Sequence, residues 1–470
     1  MKANKHTHFI GIGGIGMSGI ARLLLSCGMK VSGSDLKKTK ITEELQRQGA
    51  AIFIGHGSKN IRGADLAVYS SAIKEDNLEI QAAKRLKIPL VKRAQALAEL
   101  MRDKTVITVT GSHGKTTTTS LVSYLLLEAG LHPSVAIGGI LRNIDNNACL
   151  GKGELFVAEA DESDGSFLYY QPKYSIITNI DHEHLDYYKD FKNEVNAFKE
   201  FIHKTDKNGC VFCCADDKNL REIIKTYEGK YVLFGLDEDA DIFPQNIKID
   251  GLSCEFDCFY KNKLTPPIFQ TESRTGRRAG LIDRFYLALG GMHNISNALA
   301  VIALGLELGV ELKFIKKALA SYKGAGRRME TKFKNGDYLI IDDYAHHPTE
   351  IKATLSAIKQ LRVKRVIAVF QPHRFTRTKL LWDEFAKCFD LADNIIITDI
   401  YAAAEPPIEG VTACLLTDKI KEHHKNVTFV AKENIVSYIS GIISPGDLVI
   451  TLGAGDITKI CDELVERIKG

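Results

Sequence analysis

The chain has 470 residues, 45% of them hydrophobic and 26% charged, with a formal net charge of +4. That length exceeds one compact core, so two to four domains are expected, and so small a charge argues against nucleic acid or an acidic membrane surface as the main partner. The sequence has no run of 18 apolar residues and no signal-peptide pattern at its start, and its ten cysteines are scattered, so a cytoplasmic protein without a membrane span is expected.

Apolar periodicity predicts a strand at His8–Ile12, a helix at Ile15–Cys27, strands at Lys30–Ser34 and Leu66–Tyr69, and a helix at Leu78–Leu86. Gly11-Ile-Gly13-Gly14-Ile15-Gly16 fits G-x-G-x-x-G between the first strand and helix, with Asp35 where a ribose-binding acid is expected. Such a loop suits NAD, and it suits a diphosphate-sugar nucleotide equally well. The charged stretch Glu99–Lys104 reads as a bridge to the next domain.

Residues 106–119 read Val-Ile-Thr-Val-Thr-Gly-Ser-His-Gly-Lys-Thr-Thr-Thr-Thr. A β-branched run, a tight Gly111–Gly114 loop and a helix opened by Lys115 and Thr116 form a phosphate loop. Val109 stands where the usual first glycine belongs, so the loop is a short variant. Backbone amides and the helix dipole would hold phosphate, Lys115 would reach the β/γ-phosphates, and the Thr116 hydroxyl would sit on Mg²⁺.

Strands are expected at Leu155–Ala158 and Tyr174–Thr178, and a helix at Phe191–His203. Glu159 follows the first of these strands and is placed to hold Mg²⁺. His182 and His184 follow the second. Cys210-x-x-Cys213 and Cys254-x-x-x-Cys258 have zinc-like spacings, but residues 209–216 read as a strand that turns positions 210 and 213 to opposite faces. Residues 261–284 read as a long loop, and helices follow at Asn294–Leu308 and on to about Tyr322.

Gly324-Ala-Gly326 marks the next boundary, before strands at Tyr338–Ile341, Arg365–Phe370, Asn394–Thr398 and Leu448–Leu452. Strands alternating with helices throughout predict an α/β fold with mostly parallel sheets. Asp343-Tyr344-Ala-His346-His347 and His373-Arg374-Phe-Thr-Arg377 each end a strand and open a helix, where open α/β sheets bind ligands. Arg374 and Arg377 could clamp a carboxylate or phosphate.

Together these segments, with Gly291-Met-His-Asn294, Gly326-Arg327-Arg328 and Gly453-Ala-Gly-Asp-Ile457, resemble the Mur ligases over essentially the whole chain. The resemblance implies three domains. Residues 1–103 would form a Rossmann-like domain for a UDP-sugar. Residues 104–325 would form a P-loop ATPase-like domain, and residues 326–470 a Rossmann-like domain closing on ATP and binding an amino acid. The implied reaction joins L-alanine to the lactyl carboxylate of UDP-N-acetylmuramate with ATP and Mg²⁺, in a monomer or homodimer.

Gly13, Gly14, Ile15, Gly16, Met17 and Asp35 would hold the sugar nucleotide, with Ser70 and Ser71 near it. Gly111, Ser112, His113, Gly114, Lys115, Thr116 and Thr117 would hold the ATP phosphates, and Thr116, Glu159 and His184 the metal. His293, Asn294 and Asn297 would face adenine, and Arg327 and Asp343 would contact ATP. Tyr344, His346, His373, Arg374 and Arg377 would frame alanine, with Lys115, Glu159, His184, His346 and Arg377 as the catalytic set. Three alternatives stay open: a relative that attaches a whole peptide, or glutamate onto folate; an NAD-dependent oxidoreductase using the first glycine loop; and a purely regulatory nucleotide-binding protein. Where the family commonly has Pro-Gly before the His-Asn pair, this chain has Gly290-Gly291.

Overall fold

The computed structural model describes residues 5–70, 72–261, 280–403 and 405–469. Three sheets form in chain order. The first has five parallel strands in the order Ala51–Ile54, Lys30–Asp35, His6–Ile10, Leu66–Tyr69 and Leu90–Lys92. The second has ten strands. Its centre runs Tyr231–Phe234, Cys210–Cys214, Tyr174–Ile177, Thr105–Thr110, Leu155–Glu159, Ser134–Leu141, all parallel, with Asn146–Cys149 antiparallel at the end. The third has six strands, with Tyr338–Asp343, Asp447–Leu452, Arg365–Phe370, Asn394–Ile397 and Val427–Phe429 parallel and Glu330–Lys334 antiparallel at one edge.

The chain divides into two compact units. The first comprises residues 1–245, 257–285 and 296–323, and the second comprises residues 246–256, 286–295 and 324–470. In the first unit the phosphate-loop strand Thr105–Thr110 lies between Tyr174–Ile177 and Leu155–Glu159. The carboxyl ends of these three parallel strands therefore share one edge, the usual ligand edge of such sheets. In the second unit, Phe370, Phe385, Leu416 and Ile450 belong to one buried cluster, and Val369, Ile396, Val449 and Leu464 to another.

The helix Lys115–Glu128 is buried along most of its length although it opens with four threonines after the lysine. It tolerates this because its hydroxyls return to its own carbonyls. Thr119 donates to Lys115 O at 2.8 Å, Ser120 to Thr116 O at 2.6 Å and Ser123 to Thr119 O at 2.7 Å.

Three local expectations need correction. Glu99–Lys104 is not mainly a bridge: the helix Arg93–Met101 takes up its first half, because Ala94, Leu97 and Met101 form a buried i, i+3, i+7 stripe. The first strand is His6–Ile10, ending earlier than expected because Gly11 turns into the left-handed region at φ +82°. Of the expected loop 261–284, residues 262–279 lie outside the described residues, and residues 280–284 belong to the strand Gly280–Leu287. Cys210 and Cys213 are buried free thiols in the strand Cys210–Cys214, and Cys254 and Cys258 are buried free thiols in the strand Ser253–Tyr260. Among the described residues, no helix is long and apolar enough to cross a membrane.

Candidate active site

In the first unit, the phosphate loop is tied to the neighbouring strand end. Ser112 N donates to Asn179 O at 3.0 Å and His113 N to Asn179 Oδ1 at 2.8 Å, and Ser112 Oγ accepts from Asp181 N at 2.8 Å. Gly111 and Gly114 have φ of +129° and +83°. A Cβ on Gly111 would stand 2.1 Å from Thr178 Oγ1, and one on Gly114 would stand 2.8 Å from Asn297 Oδ1. Both positions therefore require glycine. Gly114 caps the following helix without a side-chain hydrogen bond, whereas Asp190 caps Phe191–His203 through its carboxylate. The leading amides of the phosphate-loop helix thus stay open to an anion.

Lys115 Nζ donates to Gly111 O at 2.6 Å, Ser112 O at 3.0 Å and Glu162 Oε1 at 2.8 Å. Burial works against its charge, but Glu162 and Asp161 outweigh that and hold the ammonium above its ordinary value. Glu162 is fully buried and also lies 3.3 Å from His184 Nε2. Thr116 Oγ1 donates to Glu159 Oε1 at 3.1 Å, and Gly138 N donates to Glu159 Oε2 at 2.9 Å. Burial raises the Glu159 carboxyl above its usual value, with Lys115 opposing.

His184 sits at φ +57°, a strained conformation for a residue with a Cβ. Burial disfavours its charged form, but Glu162 and Glu183 raise it above the usual imidazole value. One ligand atom each from Glu162, Glu183 and His184 lie within 4.8 Å of one another. Glu162 Oε2 is buried without a hydrogen bond. A carboxylate oxygen beside a threonine hydroxyl is what a hard divalent cation prefers, so Thr116 with Glu159 fits Mg²⁺.

The first glycine loop has the same frame with different chemistry. Gly11 N and Ile12 N donate to Ser34 O at 2.9 and 3.0 Å. Gly13 N donates to Asp35 Oδ2 at 2.8 Å, so Asp35 shapes the loop itself. Gly14 caps the helix Ile15–Ser26 without a side-chain bond. Gly16 lies under the Arg93 guanidinium, which pairs with Asp161 at 3.0 Å. Met17 is buried core and Ser70 is half-buried at a strand end. Ser71 lies outside the described residues.

In the second unit, a guanidinium–imidazole cluster forms at the ends of Tyr338–Asp343 and Arg365–Phe370. Arg377 donates to His373 Nδ1 at 3.1 Å, which puts the His373 proton on Nε2. Burial, with His346 and Arg377 nearby, pushes His373 down to about 2, so it stays neutral. The His346 Nδ1–H donates to Tyr344 O at 3.0 Å, which puts its lone pair on Nε2. The His346 and His373 ring centroids are 5.8 Å apart, and His373 stacks on Tyr401 at 5.6 Å. Arg374 takes φ +70° and donates its backbone N–H to Tyr401 O at 2.8 Å.

Arg327 is held by Asp342 at 3.1 Å and by the carbonyls of Gly453 and Gly455 at 2.5 and 3.0 Å. It lies 5.0 Å from the Tyr344 ring centroid. Both Asp343 oxygens accept backbone amides, from Met329 and Ala345 at 2.7 Å each. Asp343 therefore orders the Arg327 turn. Burial raises it to about 6, against Arg328. His293 is half-buried and is pushed down to about 4 by burial and then by Arg328. Asn294 Nδ2 donates to Gly290 O at 2.8 Å. A Cβ on Gly290 would stand 2.8 Å from Gly251 O, so a bare glycine suits the spot where the family commonly has proline.

Lys115 and His184 thus meet at Glu162 in the first unit, Thr116 meets Glu159, and Asn297 meets Gly114. Tyr344, His346, His373 and Arg377 gather in the second. Thr117 is buried in the first helical turn, its carbonyl accepting from Ser120. Sequence reasoning missed several neighbours. Cβ atoms on Gly138 and Gly139 would stand 2.3 Å from Glu159 Oε1 and 2.8 Å from Thr116 Cγ2. Glu194 is a buried carboxyl pushed up to about 8 by burial, with Glu162 and Glu183 adding to it against His184. Glu162, Arg93 and Tyr401 complete the set. The first could have been read from its place three residues after Glu159, while the others carry no local signal.

Comparison with known proteins identifies the frame. Residues 6–105 match the Mur ligase family catalytic domain, 109–305 the Mur ligase middle domain, and 327–455 the Mur ligase glutamate ligase domain. The chain belongs to the Mur ligase family. Among its relatives, UDP-N-acetylmuramate–L-alanine ligase of Geotalea uraniireducens is 45% identical over 98% of both chains. The crystal structure of UDP-N-acetylmuramate-alanine ligase from Thermotoga maritima superposes with a TM-score of 0.82 over 99% of both chains, at 30% identity. A murein peptide ligase from Psychrobacter arcticus reaches 0.72 over 98% of both chains at 24% identity, a likeness of fold alone. Mur ligases are ATP-dependent enzymes, which accords with the phosphate loop of the first unit.

Proposed function

We propose that this chain is an ATP-dependent ligase joining L-alanine to the lactyl carboxylate of UDP-N-acetylmuramate, in the cytoplasmic synthesis of peptidoglycan precursors. The observation that carries the reading is the pairing of a phosphate-loop cluster with a separate guanidinium–imidazole cluster, in a chain 45% identical end to end to an alanine ligase. An oxidoreductase gives no reason for Lys115 and Glu159. A peptide-adding relative would lack the cluster of His373, Arg374 and Arg377.

A carboxylate is a poor electrophile because oxide is a poor leaving group, so the acid must first be activated. The muramate carboxylate oxygen attacks the γ-phosphorus, the bond to the ADP oxygen breaks, and an acyl phosphate and ADP form. The alanine nitrogen then attacks the acyl carbon, inorganic phosphate leaves, and an amide results. Lys115 and the open amides of the phosphate-loop helix neutralise charge on the transferring group. Thr116, Glu159 and His184 would hold Mg²⁺, which supplies further charge neutralisation on the phosphates. The first glycine loop would hold the uridine diphosphate.

In the second unit, Arg377, with Arg374 alongside, would anchor the alanine carboxylate, helped by the His373 Nε2–H. The His346 Nε2 lone pair would accept the proton that the amine must lose. Phosphate release with ATP tests the reading. It should require both UDP-N-acetylmuramate and L-alanine. Release supported by a tripeptide but not by alanine would favour the peptide-adding alternative, and NADH turnover without phosphate release would overturn the reading.

A further inference from the structure

We propose that Arg93 is a positioning residue that fastens the sugar-nucleotide loop to the acids of the phosphate-loop site, and so sets the distance across which phosphoryl transfer occurs. The inference rests on the reading above and adds a residue to it.

Arg93 opens the helix Arg93–Met101 directly after the last strand of the first sheet. Its guanidinium touches two other elements. A Cβ built on Gly16 would stand 2.7 Å from Arg93 Nη1, so the fork lies on the first turn of the glycine-loop helix. Arg93 Nη2 donates to Asp161 Oδ2 at 3.0 Å. Asp161 follows Glu159 by two residues and precedes Glu162, which holds Lys115.

A second fastener acts one residue away. Asn147, 2% exposed in the hairpin of the central sheet, donates through Nδ2 to Ile15 O at 2.6 Å. The glycine-loop helix is thus held at Ile15 and at Gly16 by residues that belong to, or pair with, the central sheet. The acceptor carboxylate travels with the molecule held by the first loop, and the γ-phosphate with the molecule held by the second. In-line attack needs the reacting atoms about 3–3.5 Å apart, and a misplacement of about 1 Å costs on the order of a hundredfold in rate. Arginine suits the task because its fork reaches Asp161 while packing against Gly16, which a lysine ammonium does not reproduce.

The test is a rapid-quench measurement of ADP formation by the full chain with saturating ATP and UDP-N-acetylmuramate. Arg93→Ala and Asp161→Asn should each slow ADP formation on the order of thirtyfold to a hundredfold, with the ATP KM unchanged within about twofold. The double variant should be no slower than the slower single one, because both remove the same fastener. Arg93→Lys keeps the charge and most of the packing, and should still lose at least about tenfold. It decides the matter should Arg93→Ala fail to fold. Multiplicative losses in the double variant, or raised KM values at an unchanged rate, would overturn the inference and leave the ligase reading standing. A wild-type chain that forms no ADP with the sugar nucleotide would overturn the reading, and this inference with it.

Discussion

The two glycine loops of the first unit share a strand–loop–helix frame and a glycine cap with no side-chain bond. They differ in what faces the loop amides. At the first, an acid, Asp35, accepts from Gly13, and the nearby cation, Arg93, is already paired with Asp161. At the second, Lys115 lies inside its own loop, raised above its usual value by Glu162 and Asp161. On the proposed reading the first loop would hold a diphosphate through backbone dipoles, as a grip. On the same reading the second holds a fixed charge where a phosphoryl group would pass, which is what catalysis of transfer requires.

The largest expected effect breaks that contrast at its charged end. Lys115→Ala should lower turnover by at least about a hundredfold, because it deletes the cation aimed at the transferring group. It also leaves Glu162 short of its partner, so the melting temperature should fall with it. Adding Glu162→Gln should restore the melting temperature without restoring turnover, which separates the two roles.

A second change acts on geometry instead of charge. Gly138→Ala puts a methyl group against Glu159 Oε1, and should raise the Mg²⁺ concentration needed for half-maximal rate by about tenfold or more. An unchanged Mg²⁺ titration would remove Glu159 from the metal set.

In the second unit, Arg377→Lys keeps charge and loses the fork. The alanine KM should rise by about tenfold while the ATP KM stays within about twofold. The opposite pattern would make this cluster a nucleotide site.

The smallest effect concerns pH. His373 and His293 are held down to about 2 and about 4, so both stay neutral in the fold near neutral pH. In the unfolded chain each takes up a proton below about pH 6.5. The unfolded state then binds more protons, so stability falls as pH drops through that value. The melting temperature of the second unit should drop by about 2–4 °C between pH 7.5 and 5.5 for each kcal/mol so lost, and His373→Phe should flatten part of the slope.

The sequence makes the phosphate loop legible because its mechanism needs contiguous residues between a strand and a helix. The alternation of strands and helices likewise yields the parallel α/β layout. Arg93, Gly138 and Tyr401 were not legible, since each acts by meeting a segment distant in the chain. Arg93 meets Asp161 across 68 residues. Gly138 needs its bareness only because Glu159 approaches from another strand. Asp35 shows the reverse case: its spacing predicts a ligand contact, and the fold gives one of its oxygens to Gly13. The helix Arg93–Met101 was overlooked because its charged end masks a buried alanine and leucine stripe.

The contrast between the loops is tested most directly by calorimetric titration of the full chain and its Lys115→Ala variant with UDP-N-acetylmuramate and, separately, with NAD. The account predicts that the sugar nucleotide binds both proteins with similar affinity, because its grip does not depend on Lys115, and that NAD gives no heat of binding. Tight binding of NAD together with no response to UDP-N-acetylmuramate would contradict it.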